Sequence, residues 1–197
     1  MNKIRDYLLA SANESKSVQD DFIKENIVTL IEAARIIAET IQNGGKILIF
    51  GNGGSAGDSQ HMAAEMVGRL LVERRPLPAI ALTTDTSNLT AIGNDYGYEF
   101  VFLRQVQALA KKDDVIFAIS TSGNSKNVLC AVEAARKIGC KILGLSGGSG
   151  GELKKYCDLF MSARLGKNSS RIQEAHIFAI HSIVDLMDRF FLGSVHV

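Results

Sequence analysis

Lys46-Ile47-Leu48-Ile49-Phe50-Gly51-Asn52-Gly53-Gly54-Ser55-Ala56 runs from a short apolar stretch through glycines into a polar, helix-compatible segment. An apolar run that is continuous, without polar alternation, is the pattern of a strand buried on both faces. Val115-Ile116-Phe117-Ala118-Ile119, followed by Ser120-Thr121-Ser122-Gly123-Asn124-Ser125, repeats the arrangement. Further runs at 79–82 and 141–145, and a weaker one at 159–161, bring the expected strands to five. Helical patterns fall between and after them, over 55–71, about 100–110, 125–138, a short one near 152–156, and 169–191. Strict alternation of this kind predicts an α/β fold with a doubly wound, five-stranded parallel sheet flanked by helices.

Residues 2–43 contain neither glycine nor proline, and Ile27, Leu30, Ile31, Ala34, Ile37, Ala38 and Ile41 form a stripe that stops at Gly44-Gly45. That segment reads as two helices. No Pro-rich linker divides the chain, so residues 1–197 are expected to form one domain.

Composition excludes several classes. At 197 residues and 46% hydrophobic, the chain has material for a core without disulfide or metal staples. Its formal net charge is +1 with the cations dispersed, which argues against nucleic acid as a ligand. Cys130, Cys140 and Cys157 are odd in number and lack CxxC spacing, as expected of reduced core thiols. The first sixteen residues mix charges with a short apolar patch unlike a signal-peptide core, and no apolar run reaches the ~20 residues of a membrane span. A cytoplasmic, non-membrane protein is the expectation.

The two Gly/Ser loops fall at carboxyl ends of strands, where open α/β sheets bind ligands. Ser120, Thr121, Ser122 and Ser125 offer hydroxyls suited to a phosphate, and no P-loop lysine pattern is present. The glycine loop matches a relaxed dinucleotide pattern, but 79–84 ends in Leu82-Thr83-Thr84 without the acid that would hold a ribose. His61 and Glu65, four apart on the helix after the first loop, share one face and suit metal binding or acid/base work; a surface ion pair is the plainer reading. Gln173, Glu174, His176 and His181 interrupt the apolar stripe of the last helix, where a histidine is commonly a core residue. Asn94-Asp95, beside Gly93, reads locally as a turn.

Together these blocks resemble the phosphoheptose isomerases of the sugar-isomerase (SIS) family over nearly the whole chain. The resemblance rests on the glycine loop through Gln60-His61 and Glu65, on Leu82-Thr83-Thr84-Asp85-Thr86, on Ala91-Ile92-Gly93-Asn94-Asp95-Tyr96-Gly97, on the serine loop, and on Arg171-Ile172-Gln173-Glu174 with His176. It implies substrate contacts at Asn52, Gly53, Gly54, Glu65, Asn94, Asp95, Ser120, Thr121, Ser122, Ser125 and Gln173. It also implies one zinc per subunit on His61, Glu65, Gln173 and His181, with Glu65 as base and His181 as acid. The implied reaction converts sedoheptulose 7-phosphate to D-glycero-D-manno-heptose 7-phosphate, the first step toward nucleotide-activated heptose for lipopolysaccharide or other surface glycans, in a homotetramer with shared sites. Gln173 and His181 lie roughly 12 Å apart along a straight helix, so either both side chains stretch toward one metal or different subunits supply them.

Three rival readings make distinct demands. A non-catalytic tetrameric SIS adaptor for the replication initiator protein would tend to lose the acid/base pair, whereas Glu65 and His181 are both present. An arabinose 5-phosphate isomerase would usually carry further C-terminal domains, and a sugar-phosphate-sensing regulator an N-terminal helix-turn-helix. Gly57 departs from the alanine expected in the family pattern, and the apolar tail from Phe190 to Val197 suggests packing against another subunit.

Overall fold

The structure, a computed structural model, describes residues 2–193. Five strands, β1 (Ile47–Phe50), β2 (Ala79–Ala81), β3 (Val115–Ser120), β4 (Lys141–Gly147) and β5 (Leu159–Ala163), form one parallel sheet in the order β2-β1-β3-β4-β5. The order reverses between β1 and β3, so the two Gly/Ser loops leave the sheet side by side at its switch point.

Alternate residues of each strand feed opposite faces. Ile47, Ile49, Val115, Phe117, Leu143 and Met161 join a core with the helices α1 (Asn2–Gln42), α2 (Gly54–Val67) and α6 (Ser169–Phe191). Leu48, Phe50, Ile116, Ala118 and Ile142 join another with α4 (Val101–Leu109), α5 (Lys126–Ile138) and the 3-10 turn Leu153–Tyr156. This double burial is what continuous apolar runs require. The cysteines are free; Cys140 is the core thiol expected, whereas Cys130 and Cys157 are only half-buried.

The helices differ from expectation in four places. Residues 2–43 form a single helix, α1, because nothing in the segment breaks it; Val18, Phe22, Leu30, Ala34, Ile37 and Ile41 carry one stripe onto the core. The helix expected over 55–71 stops at Val67, with Gly68 as its C-cap. The one near 100–110 enters through a 3-10 turn at Tyr98–Phe100. Thr86–Asp95 is a helix, α3, opened by Asp85, whose carboxylate accepts from the Asn88 N–H at 3.0 Å. Asn94 and Asp95 therefore end a helix instead of forming a free turn, and periodicity missed it because none of its residues is buried. Of the apolar tail, Phe190 and Phe191 pack on the chain's own core, and residues 194–197 lie outside the described region.

His176 ties α6 to β4 inside the core. It is fully buried, and its Nε2–H donates to the Ser146 carbonyl at 2.9 Å while Nδ1 has no partner. Burial pushes its pKa down to about 4, opposed by that hydrogen bond. The unfolded chain thus takes up a proton near pH 6.5 that the folded chain refuses until about pH 4. Stability is lost as pH falls through that window, by on the order of 3 kcal/mol. Urea titrations from pH 7 to pH 4 should show a shallower loss for His176→Gln than for the wild type; parallel losses would locate the pH dependence elsewhere.

Candidate active site

The first loop holds its shape by crossing to α5. The side-chain amides of Asn52 and Asn127 donate to each other, both at 2.8 Å, and the Tyr98 hydroxyl donates to Asn52 Oδ1 at 3.3 Å. Asn127 and Tyr98 were absent from the sequence-based set. A polar residue in the buried stripe of α5 beside Val128 and Ala131 was the available signal for Asn127.

In the second loop, the hydroxyls of Ser120 and Ser125 lie 3.1 Å apart, and the Ser120 carbonyl accepts from Ser146 Oγ at 2.6 Å. Ser125 stands at the N-cap of α5 without capping it, so its hydroxyl and the first N–H groups of that helix face the loop. Thr121 is anchored through its carbonyl, which accepts from the Gly147 N–H at 3.1 Å, and Ser122 Oγ accepts from the Asn124 N–H at 3.2 Å. Gly123 adopts φ +66°, and a Cβ there would meet the Gly150 carbonyl and lie 2.9 Å from the Gly151 nitrogen.

A second centre forms where α2 and α6 pack in parallel. His61 Nε2 and His181 Nε2 lie 2.8 Å apart, and Glu65 Oε1 is 3.5 Å from His61 Nε2. Three groups from two helices distant in sequence thus converge, partly open to solvent: the side chains of His61 and Glu65 are 40% and 20% exposed. Asp58, three residues before His61, has an oxygen buried without a partner, and burial lifts its pKa to about 6 against the opposing pull of His61. It too escaped the sequence reading, although its spacing puts it on the His61 face.

Gln173 lies elsewhere. Its amide packs on Gly54 at the start of α2, where a built Cβ would come 2.7 Å from Gln173 Cδ. Seven residues separate Gly54 from His61, about 10 Å of helix. The exposed side chains of Asn94 and Asp95 hydrogen-bond to each other at 2.7 Å and make no hydrogen bond to the loops or to the His61 centre.

The donor types of His61, Glu65 and His181 suit zinc. Among the described residues, however, no group of three His, Cys, Asp or Glu side chains is already set to hold a metal ion. The two imidazole nitrogens share a hydrogen bond, and tetrahedral ligands at zinc distances would stand about 3.3 Å apart, so a bound ion would open the pair slightly.

A doubly wound parallel sheet with paired Gly/Ser loops at its switch point, next to the His61, Glu65 and His181 cluster, has the architecture of an α/β domain that takes its ligand at the carboxyl ends of the strands. The SIS domain family model matches residues 12–147. The chain belongs to that family and, within it, to the phosphoheptose isomerases. It is 53% identical over 183 residues to the phosphoheptose isomerase of Campylobacter concisus, covering 92% of this chain and 96% of that one. Among solved structures, the phosphoheptose isomerase GmhA of Neisseria gonorrhoeae matches with TM-score 0.89 and 42% identity over 94% of this chain and 98% of that one. The phosphoheptose isomerase of Francisella tularensis matches with TM-score 0.84 and 36% identity over 95% and 97%.

The two loop glycines should respond oppositely to alanine. In Gly54→Ala the new methyl meets only the mobile end of Gln173, so stability should change by under about 1 kcal/mol while the Gln173 amide is displaced in a crystal structure. In Gly123→Ala it meets rigid backbone at positive φ and should cost about 2–5 kcal/mol by urea unfolding.

Proposed function

We propose that this chain is an aldose-ketose isomerase that converts sedoheptulose 7-phosphate to D-glycero-D-manno-heptose 7-phosphate through an enediolate. The observation that carries the reading is the convergence of Glu65 and His181 with His61 between α2 and α6, in a chain belonging to the phosphoheptose isomerases. Those relatives are named for the isomerase, which leaves the initiator-binding adaptor without support.

The phosphate is held by Ser120, Thr121, Ser122 and Ser125, and the sugar by Asn52, Gly53, Gly54 and Gln173, with Asn94 and Asp95 as further contacts in a site shared between subunits. Glu65 takes the proton from C1, and His181 moves a proton from O1 to O2. Glu65 then returns a proton to C2 of the enediolate, which regenerates its carboxylate, so that the C2 ketone becomes a secondary alcohol and C1 an aldehyde. Each positioned group contributes about 10²–10⁴-fold. Anchoring the phosphate far from C1 fixes which carbon meets the base.

Zinc, one per subunit, is the proposed metal, with His61, Glu65 and His181 as donors and Gln173 as the fourth. When bound it would polarise the substrate carbonyl. Gln173 reaches such an ion by leaving Gly54 or by arriving from another subunit.

A homotetramer is the proposed assembly. Ile4, Tyr7 and Leu8 on the first turns of α1 are 68%, 74% and 62% exposed, an apolar surface suited to a second copy. The expected setting is the cytoplasm, without nucleic acid or membrane as partner; among the described residues no helix is long and apolar enough to cross a membrane. The product would feed heptose activation for lipopolysaccharide or another surface glycan.

Purified protein should interconvert the two heptose 7-phosphates and exchange the C1 proton with solvent. Glu65→Gln and His181→Gln should each lower kcat by at least about 10²-fold while the protein stays folded. Zinc-loaded wild type without turnover would overturn the assignment.

A further inference from the structure

Arg74 lies outside both loops and the His61 centre, yet its guanidinium is among the most heavily bonded groups in the molecule. Its side chain is 4% exposed. Nε donates to Asp188 Oδ1 at 2.8 Å, Nη2 to the Glu65 carbonyl at 2.7 Å, and Nη1 to the carbonyls of Met66 and Gly68, both at 2.8 Å.

Those three carbonyls belong to the last turn of α2 and its C-cap Gly68, where a helix leaves four acceptors without internal partners. A cation there also complements the negative end of the helix. Asp188, by contrast, is a buried acid in the last turn of α6, where that same end repels it. Its second oxygen has no partner, so Arg74 is what compensates its charge.

The contacts between α2 and α6 keep one register. Gln173 meets Gly54 at the loop end, His181 meets His61 in the middle, and Asp188 is joined through Arg74 to the end of α2. A slip of one residue would shift α6 by about 1.5 Å and turn it by about 100°, carrying His181 away from His61 and Glu65.

We propose that Arg74 is a positioning residue for the isomerisation: bridging Asp188 to the backbone of Glu65, it fixes the register of α6 on α2 and with it the placement of Glu65 against His181. The inference rests on the acid/base roles proposed above. Because the phosphate loops lie at the other end of α2, loss of the clamp should fall on kcat and spare KM. A displacement of about 1 Å at a reacting group is enough for a 10²-fold loss.

The test compares wild type with Arg74→Lys, Asp188→Asn and the double variant Arg74→Met/Asp188→Leu, using sedoheptulose 7-phosphate kinetics, thermal melting and crystal structures. Lysine keeps the charge but loses the fork, so kcat should fall at least about 10-fold with KM within about 2-fold. Asparagine keeps the acceptor for Arg74 Nε and should retain most of wild-type kcat. The apolar pair removes the buried charges and should melt at or above the temperature of Arg74→Lys, while kcat stays low and the His61–His181 contact opens. A double variant with wild-type melting, kcat and His61–His181 distance would overturn the proposal. So would a fall in kcat that only follows the fall in melting temperature across the series. If the wild type itself fails to turn over, the isomerase reading falls, and the His61–His181 separation in the variant structures still decides whether Arg74 sets the register.

Discussion

Backbone meets backbone where β1 and β3 end, and the site depends on that contact. A Cβ at Gly51 would lie 2.7 Å from the Ile119 carbonyl and 2.7 Å from Ser55 Cβ. Without a side chain there, the first loop turns directly over the end of β3 and its helix starts beside the serine loop. Any larger residue would push α2 off the sheet, and α2 carries His61 and Glu65. The topology supplies the rest: parallel strands put both loops at one end, and the reversal of order between β1 and β3 leaves space between them.

Polar groups are buried around this contact at a cost the core must offset. Asn52 and Asn127 satisfy each other, and Ser146 serves two elements, donating to Ser120 and accepting from His176. Asp58, His176 and Asp188 each keep one buried atom without a partner. With Asp21 on α1 and Glu174 on α6, these groups lie on the helices of one side of the sheet, whereas the buried polar side chains of α4 and α5, Gln105 and Asn127, are hydrogen-bonded. Among the described residues, uncompensated polarity thus falls on the side of the sheet that carries α2 and α6, and the apolar core on that side must offset it.

The parts of the fold that the sequence made legible are those whose burial is one-sided or complete. Continuous apolar runs located all five strands, including the weak one at β5, and the punctuation at Gly51 to Gly54 and at Ser120 to Ser125 placed both loops. The α3 helix was hidden because only Leu89 and Ile92 pack, partly buried, against the core and none of its residues is fully buried, leaving too short a stripe to read. Arg74 was hidden for another reason: its partners are carbonyls and an aspartate far along the chain, and neither a carbonyl's availability nor a long-range pair has a local signature. The spacing made His61 and Glu65 legible as a pair on one face, but their meeting with His181 was legible only through family resemblance, since no spacing rule reveals the parallel packing of the two helices.

That parallel packing also explains why the expected ligand set divides in two within one chain. Gln173 and His181, eight residues apart on α6, meet α2 at Gly54 and His61, which are seven apart, so the helices keep step and the contacts remain about 10 Å from each other. A seven-carbon sugar with phosphate at one end and carbonyl at the other suits such a division on the roles proposed above, with the phosphate beside the loops and Glu65 and His181 further along. On those proposed roles the length of α2 between Gly54 and His61 would set the spacing between the two ends of the substrate.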